Sequence, residues 1–153
     1  MYQPPLADMR FVLERVADLP AVARLPGFDP EAAEMAEAVL TEAGRLAADV
    51  LAPLNQAGDR EPARLENGVV RTTPGFREAY RRYAEGGWMG LVFPQAHGGQ
   101  NLPWLLNTAA AEVWNAANLS LQLCPLLTQA GVEAILHHGT EQQKELYLSL
   151  IHI

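Results

Sequence analysis

The chain has 153 residues, 49% hydrophobic and 19% charged, which fits one globular domain and excludes a disordered tail. Eleven Lys+Arg against eighteen Asp+Glu leave a net charge of −7, and Lys144 is the single lysine. Nucleic acid requires clustered cations that replace counterions on phosphate, and Arg81-Arg82 is the nearest approach to a cluster, so no nucleic-acid partner is expected.

Residues 6–19 predict a short amphipathic helix in which Met9, Val12, Leu13 and Val16 recur at helical spacing. "ARLPGF" breaks it. Asp29-Pro30-Glu31 combines a capping carboxylate, a proline suited to the first helical position and first-turn acid. The helix that follows places Met35, Val39, Ala43, Leu46 and Val50 on one stripe and is expected to end near Pro53. Residues 55–73 form a polar loop, within which "LENGVVRTT" has the composition of a turn with short extended flanks.

A third helix opens at Thr73-Pro74 and carries Phe76, Ala79, Tyr80 and Tyr83. "GGWMGLVFPQAHGGQNLPW" (86–104) then crosses to a fourth helix ending near Ala117, with Leu106, Ala110, Val113 and Trp114 inward and Asn107, Glu112 and Asn115 outward. The segment 118–139 is apolar on nearly every face, as in a surrounded helix, and Pro125 should kink or divide it. Gly139 stops that helix, and Thr140-Glu141-Gln142-Gln143 is a capping box for the last one. No strand pattern stands out, so the fold class is all-α: a compact bundle of five to six helices with Pro5, Pro30, Pro74 and Thr140 near helix starts.

Most catalytic chemistry lacks its residues. Neither serine, Ser120 or Ser149, lies in a nucleophile-elbow setting, and no glycine loop ends in Lys-Ser/Thr. Gly98-Gly99 lacks the spacing of a dinucleotide fingerprint. His137 and His138 are adjacent, whereas a helical metal pair needs a spacing of about four, so no metal site is expected; a solvated helix end suits them. Cys124 sits among apolar residues, which predicts a buried, inert thiol. No charged-then-apolar leader opens the chain and no unbroken run of about 18 apolar residues spans a membrane, so a soluble cytoplasmic protein is expected.

Residues 86–104 resemble the acyl-CoA dehydrogenase family, whose N-terminal helical domain carries a Gly-Trp-x-Gly-Leu…Pro…Gly-Gly-x-x-Leu-Pro signature. Here it reads Gly87-Trp88-Met89-Gly90-Leu91, Pro94, Gly98-Gly99, Leu102 and Pro103. "GTEQQKELYL" (139–148) is similar to the family's Gly-x-x-x-Gln-Lys-x-x-Tyr-Leu element. "MYQPPLADMRFVL", "VLAPLNQAGDRE" and "CPLLTQAGVEAILHHG" resemble a longer bacterial branch that includes methylmercaptopropionyl-CoA dehydrogenase-like enzymes. Gln95-Ala96-His97 departs from the acidic or aromatic residue usual there, so no role is transferred to these side chains.

The resemblance covers 1–148 and implies the N-terminal helical domain of an FAD-dependent enzyme that converts acyl-CoA to trans-2-enoyl-CoA. It implies a catalytic glutamate in a C-terminal bundle and most flavin contacts beyond this segment, so no catalytic residue is assigned here. By position, Gln122 and Leu126 fall where relatives line the acyl pocket, with Leu119 and Leu123 nearby; core packing remains open to each. Trp88, Phe93, Gly98 and Gly99 fall at the domain junction, with a packed interhelical turn as the alternative. The implied partners are the acyl-CoA substrate, an electron-transfer flavoprotein or similar acceptor, and further copies in a dimer or tetramer. Residues 149–153 depart from the family and read as a non-native or truncated tail. The rival reading is a stand-alone helical protein-interaction module without catalytic activity.

Overall fold

The computed structural model describes residues 2–29 and 31–149. Pro30 and the tail residues 150–153, on which two sequence expectations fell, lie outside them. The helices are α1 (Leu6–Phe11), α2 (Leu19–Ala23), α3 (Ala32–Leu46), α4 (Ala52–Arg60), α5 (Phe76–Glu85), α6 (Trp104–His138) and α7 (Glu141–Leu148). A two-stranded antiparallel hairpin, β1 (Arg64–Glu66) and β2 (Val69–Arg71), forms where the sequence has the composition of a turn with short extended flanks. Asn67 and Gly68, both with positive φ (51° and 78°), make the tight Asn-Gly turn that closes it. The all-α class stands, because all six hairpin residues are exposed and the core is built by helices.

The predicted first helix is divided. Beyond Phe11 it widens into a π turn at Val12–Val16, and Asp18 in the left-handed region (φ 50°) starts α2. Met9 and Leu13 are buried as predicted, but Val12 and Val16 are exposed, since only one narrow stripe of this helix meets a neighbour. On α3, Val39, Leu40 and Ala43 face inward and Met35 is exposed, and Ala47 and Leu51 just beyond the helix continue the buried stripe.

The helix does not end near Pro53. A π turn at Ala47–Leu51 shifts the hydrogen-bond register, so Pro53 falls in the first turn of α4, where a missing N–H costs little. α5 starts at Phe76, two residues past Pro74, and buries Ala79 and Tyr83.

The core centres on Trp114. Its indole Nε1 donates to the Ala43 carbonyl at 3.2 Å, and Tyr83 and Trp88 meet its ring edge-on at 5.0 and 5.1 Å. The Tyr2 hydroxyl donates to the Val113 carbonyl at 3.0 Å, tying the N-terminal lead-in to the same helix. Burial, and secondarily Tyr80, pushes the Tyr83 phenol well above its ordinary range, so it stays neutral.

The predicted kink in α6 is displaced. The helix runs on through Pro125 and breaks instead at Asn118, whose backbone is extended (φ −159°, ψ 87°). Asn118 Oδ1 accepts the Leu121 amide at 3.1 Å, as an N-cap does, and starts a second arm (119–138) folded back against the first (104–117). The cap supplies what a proline alone does not, a partner for a freed backbone amide. Between the arms, Gln129 Nε2 donates to Asn107 Oδ1 at 3.4 Å, so Asn107 is buried and not outward as its polarity predicted. By length and composition α6 is apolar enough to cross a membrane, yet its first arm carries the packing centre of the bundle.

Thr140 caps α7 as predicted: its hydroxyl accepts the Gln143 amide at 3.2 Å, and the Gln143 side chain accepts the Thr140 amide at 2.9 Å. His137 and His138 sit exposed in the last turn of α6, with His137 Nε2 3.1 Å from Glu133.

Candidate functional site

Two regions hold the predicted site residues: the second arm of α6 and the 86–103 crossing. On the arm, Leu119, Leu123, Leu126 and Leu127 share one face at helical spacing, and all four are exposed, Leu126 at 55% and Leu127 at 72%. The arm is therefore not surrounded, as its all-round apolarity predicted; half of it is uncovered. Cys124 is likewise exposed and not buried.

Gln122 points the other way. It is 4% exposed, and its Nε2 is buried without a hydrogen-bond partner among the described residues. A buried amide nitrogen without a partner costs roughly 1–3 kcal/mol, which makes Gln122 the least satisfied polar group of the arm. The structure thus brings Leu119, Leu123 and Leu126 together on one surface and sets Gln122 beneath it.

The crossing closes on itself. Gln100, Asn101 and Leu102 donate their amides to the carbonyls of Gly90, Phe93 and Leu91 at 2.8, 2.9 and 2.8 Å. Gly98 occupies the left-handed region (φ 80°), and a Cβ on Gly99 would collide with the Phe93 carbonyl. Phe93 is fully buried in the bundle and Trp88 is half-buried against Trp114. The Gly98 and Gly99 amides are taken by the carbonyls of Gln95 and Pro94, at 2.9 and 3.1 Å. The glycine pair therefore offers no free amides to a phosphate, and this segment does not fit the cradle a dinucleotide needs. Gln95–His97 forms a single 3₁₀ turn on the outside.

A family model described as acyl-CoA dehydrogenase, N-terminal domain, matches residues 33–151. The chain belongs to that family. It is also 40% identical, over 147 residues, to a 3-methylmercaptopropionyl-CoA dehydrogenase of Ruegeria pomeroyi. That alignment covers 96% of this chain and 25% of the relative, so the chain spans about a quarter of that protein's length.

Sequence reasoning missed Asn118, the residue that aims the leucine-bearing arm. A signal was present: Asn is among the best N-cap residues, and here it precedes a long apolar run. Among the described residues no group of three His, Cys, Asp or Glu is placed to hold a metal.

Proposed function

We propose that this chain is the N-terminal helical part of an FAD-dependent acyl-CoA dehydrogenase, acting in the cytoplasm as a dimer or tetramer. In that reading the longer protein removes a proton from Cα and a hydride from Cβ of an acyl thioester and delivers the electrons to an electron-transfer flavoprotein or similar acceptor. The helical part excludes water and forms one wall of the acyl pocket. The uncovered leucine face above Gln122 carries this proposal: four leucines left half in water are what a wall looks like without the rest of its enclosure. The relative's name supports an acyl-CoA thioester as the substrate class.

In this reading the flavin site and the catalytic base lie in the longer protein, and the occupied Gly98 and Gly99 amides of this segment support that division. Purified alone, the 153-residue chain is expected to be colourless and inert toward acyl-CoA with an artificial electron acceptor. The longer protein is expected to be yellow and to bleach on adding acyl-CoA. Yellow colour at one flavin per 153-residue chain would overturn this division of labour. A longer protein that neither binds flavin nor oxidises acyl-CoA would leave the rival reading, an interaction module docking a protein partner through the same leucine face.

A further inference from the structure

A second concavity lies beside the leucine face, on the flank of the same arm. It is a cleft of ≈ 660 Å³ bounded by α4, the base of the hairpin, α5 and the second arm of α6. Its walls are apolar: Pro62, Phe76, Leu121 and the rings and thiol of Tyr80 and Cys124. That volume is within the roughly 300–1,000 Å³ usual for small-molecule sites.

Its charge is unlike that of the chain. In a protein of net charge −7, the lining carries one formal charge, and it is the positive guanidinium of Arg77. The other two arginines of α5 are occupied. Arg81 is held by Glu78 and Glu85, and Arg82 by Glu78. Arg77 has no ion pair among the described residues. Burial, and secondarily Cys124, raises the neighbouring Tyr80 phenol above its ordinary range, and its hydroxyl can donate a hydrogen bond.

We propose that this cleft binds a small amphiphile with one anionic head, of the medium-chain fatty carboxylate class. The chain lies against Phe76 and Leu121, and the carboxylate meets Arg77 and the Tyr80 hydroxyl. Arg77 is exposed at the rim, so a neutral apolar molecule would fill the walls without using the cation, whereas an anionic head adds an ion pair there. This inference is independent of the proposed function, since none of its residues is among the pocket or junction residues assigned there.

The test uses decanoate and decanol below their aggregation limits, titrated into the 153-residue chain and followed by amide chemical shifts. Decanoate is expected to bind more tightly than decanol by roughly fivefold, the range of an exposed ion pair. The shifts should centre on residues 58–80, Ser120 and Cys124. Arg77→Gln should erase the preference while decanol binding persists. Ala63→Trp, which fills the cleft from an exposed position, should abolish binding of both with the melting temperature kept. Equal binding of the two probes overturns the proposal, as do shifts centred on Leu119, Leu123, Leu126 and Leu127 or unchanged binding in the Ala63→Trp variant.

Discussion

The Asn118 side chain donates to the Leu51 carbonyl at 3.1 Å, across 67 positions of sequence, while its own oxygen caps the next helix. One fully buried amide therefore joins the end of the π turn to the joint of α6. Asn118→Ala removes the cap and the side-chain donor to the Leu51 carbonyl, an expected cost of about 1–3 kcal/mol. Asn118→Ser should recover the capping part alone. Urea unfolding of the three proteins measures both; a loss under about 1 kcal/mol for Asn118→Ala would mean the joint is set elsewhere.

The glycines of the chain should separate by what surrounds them. Gly99→Ala forces a methyl onto the Phe93 carbonyl and is expected to cost roughly 3 kcal/mol, because backbone cannot step aside as a side chain can. Gly131→Ala, with open space around it and a helical backbone, should stabilise by about 0.5–1 kcal/mol. Thermal melts of the pair settle the signs.

Glu78 lies between Arg81 and Arg82, with Arg81 Nη2 at 2.6 Å. Hydrogen bonds from Arg81, then from Arg82, lower its carboxyl from the ordinary 4.5 to about 2. The folded value is depressed, so the stabilisation is full above pH 4.5 and is lost as pH falls toward 2. Carboxyl-carbon NMR should place the Glu78 midpoint well below those of the other glutamates, and Arg81→Gln should move it back up. An unmoved midpoint in that variant would show that Arg81 is not the cause.

The four exposed leucines should make the chain self-associate. Sedimentation is expected to show mass rising with concentration, and Leu123→Glu with Leu127→Lys should return it to a monomer without lowering the melting temperature. A wild-type monomer at every concentration would remove the argument that this face is an unfinished enclosure.

Leu126 gives the sharpest separation of pocket from core. At 55% exposed, it can become Trp in the 153-residue chain with stability changed by less than about 0.5 kcal/mol. In the longer enzyme the same change should exclude long acyl chains. Losing room for about four methylenes, each worth about 0.8 kcal/mol, lowers kcat/KM for long substrates about a hundredfold and spares short ones. Equal losses at all chain lengths would exclude a pocket role.

What was legible in the sequence was local. The Thr140 capping box and the Asn67-Gly68 turn each depend on residues three or fewer apart, and both formed as their chemistry predicts. Of the two tryptophans in the crossing, Trp88 packs against Trp114 whereas Trp104 is exposed, a difference that their shared local setting does not announce. The failures were tertiary. Asn107 reads as a surface residue until Gln129, 22 positions on, folds back to meet it. Pro125 reads as the kink because its cost is visible in isolation, whereas the bond from Asn118 to Leu51 is not. Cys124 and the leucines read as interior because apolarity predicts burial, but not which element supplies it. For the site, sequence set Gln122 and Leu126 one helical turn apart on a shared face, with Leu119 and Leu123 nearby; the structure leaves the three leucines exposed together and buries Gln122.

The joint at Asn118 has no slack: a single residue separates the two arms. Any residue inserted or deleted between Asn118 and Leu127 would turn everything beyond it by about 100° and slide it by about 1.5 Å, exchanging Gln122 or the leucines for their neighbours. A surface loop can change its length and keep its ends in place, but this arm cannot. Diversification of the leucine surface is therefore confined to exchanging side chains at fixed positions, and a working relative with an indel in this stretch should carry a compensating change of one residue before the arm ends.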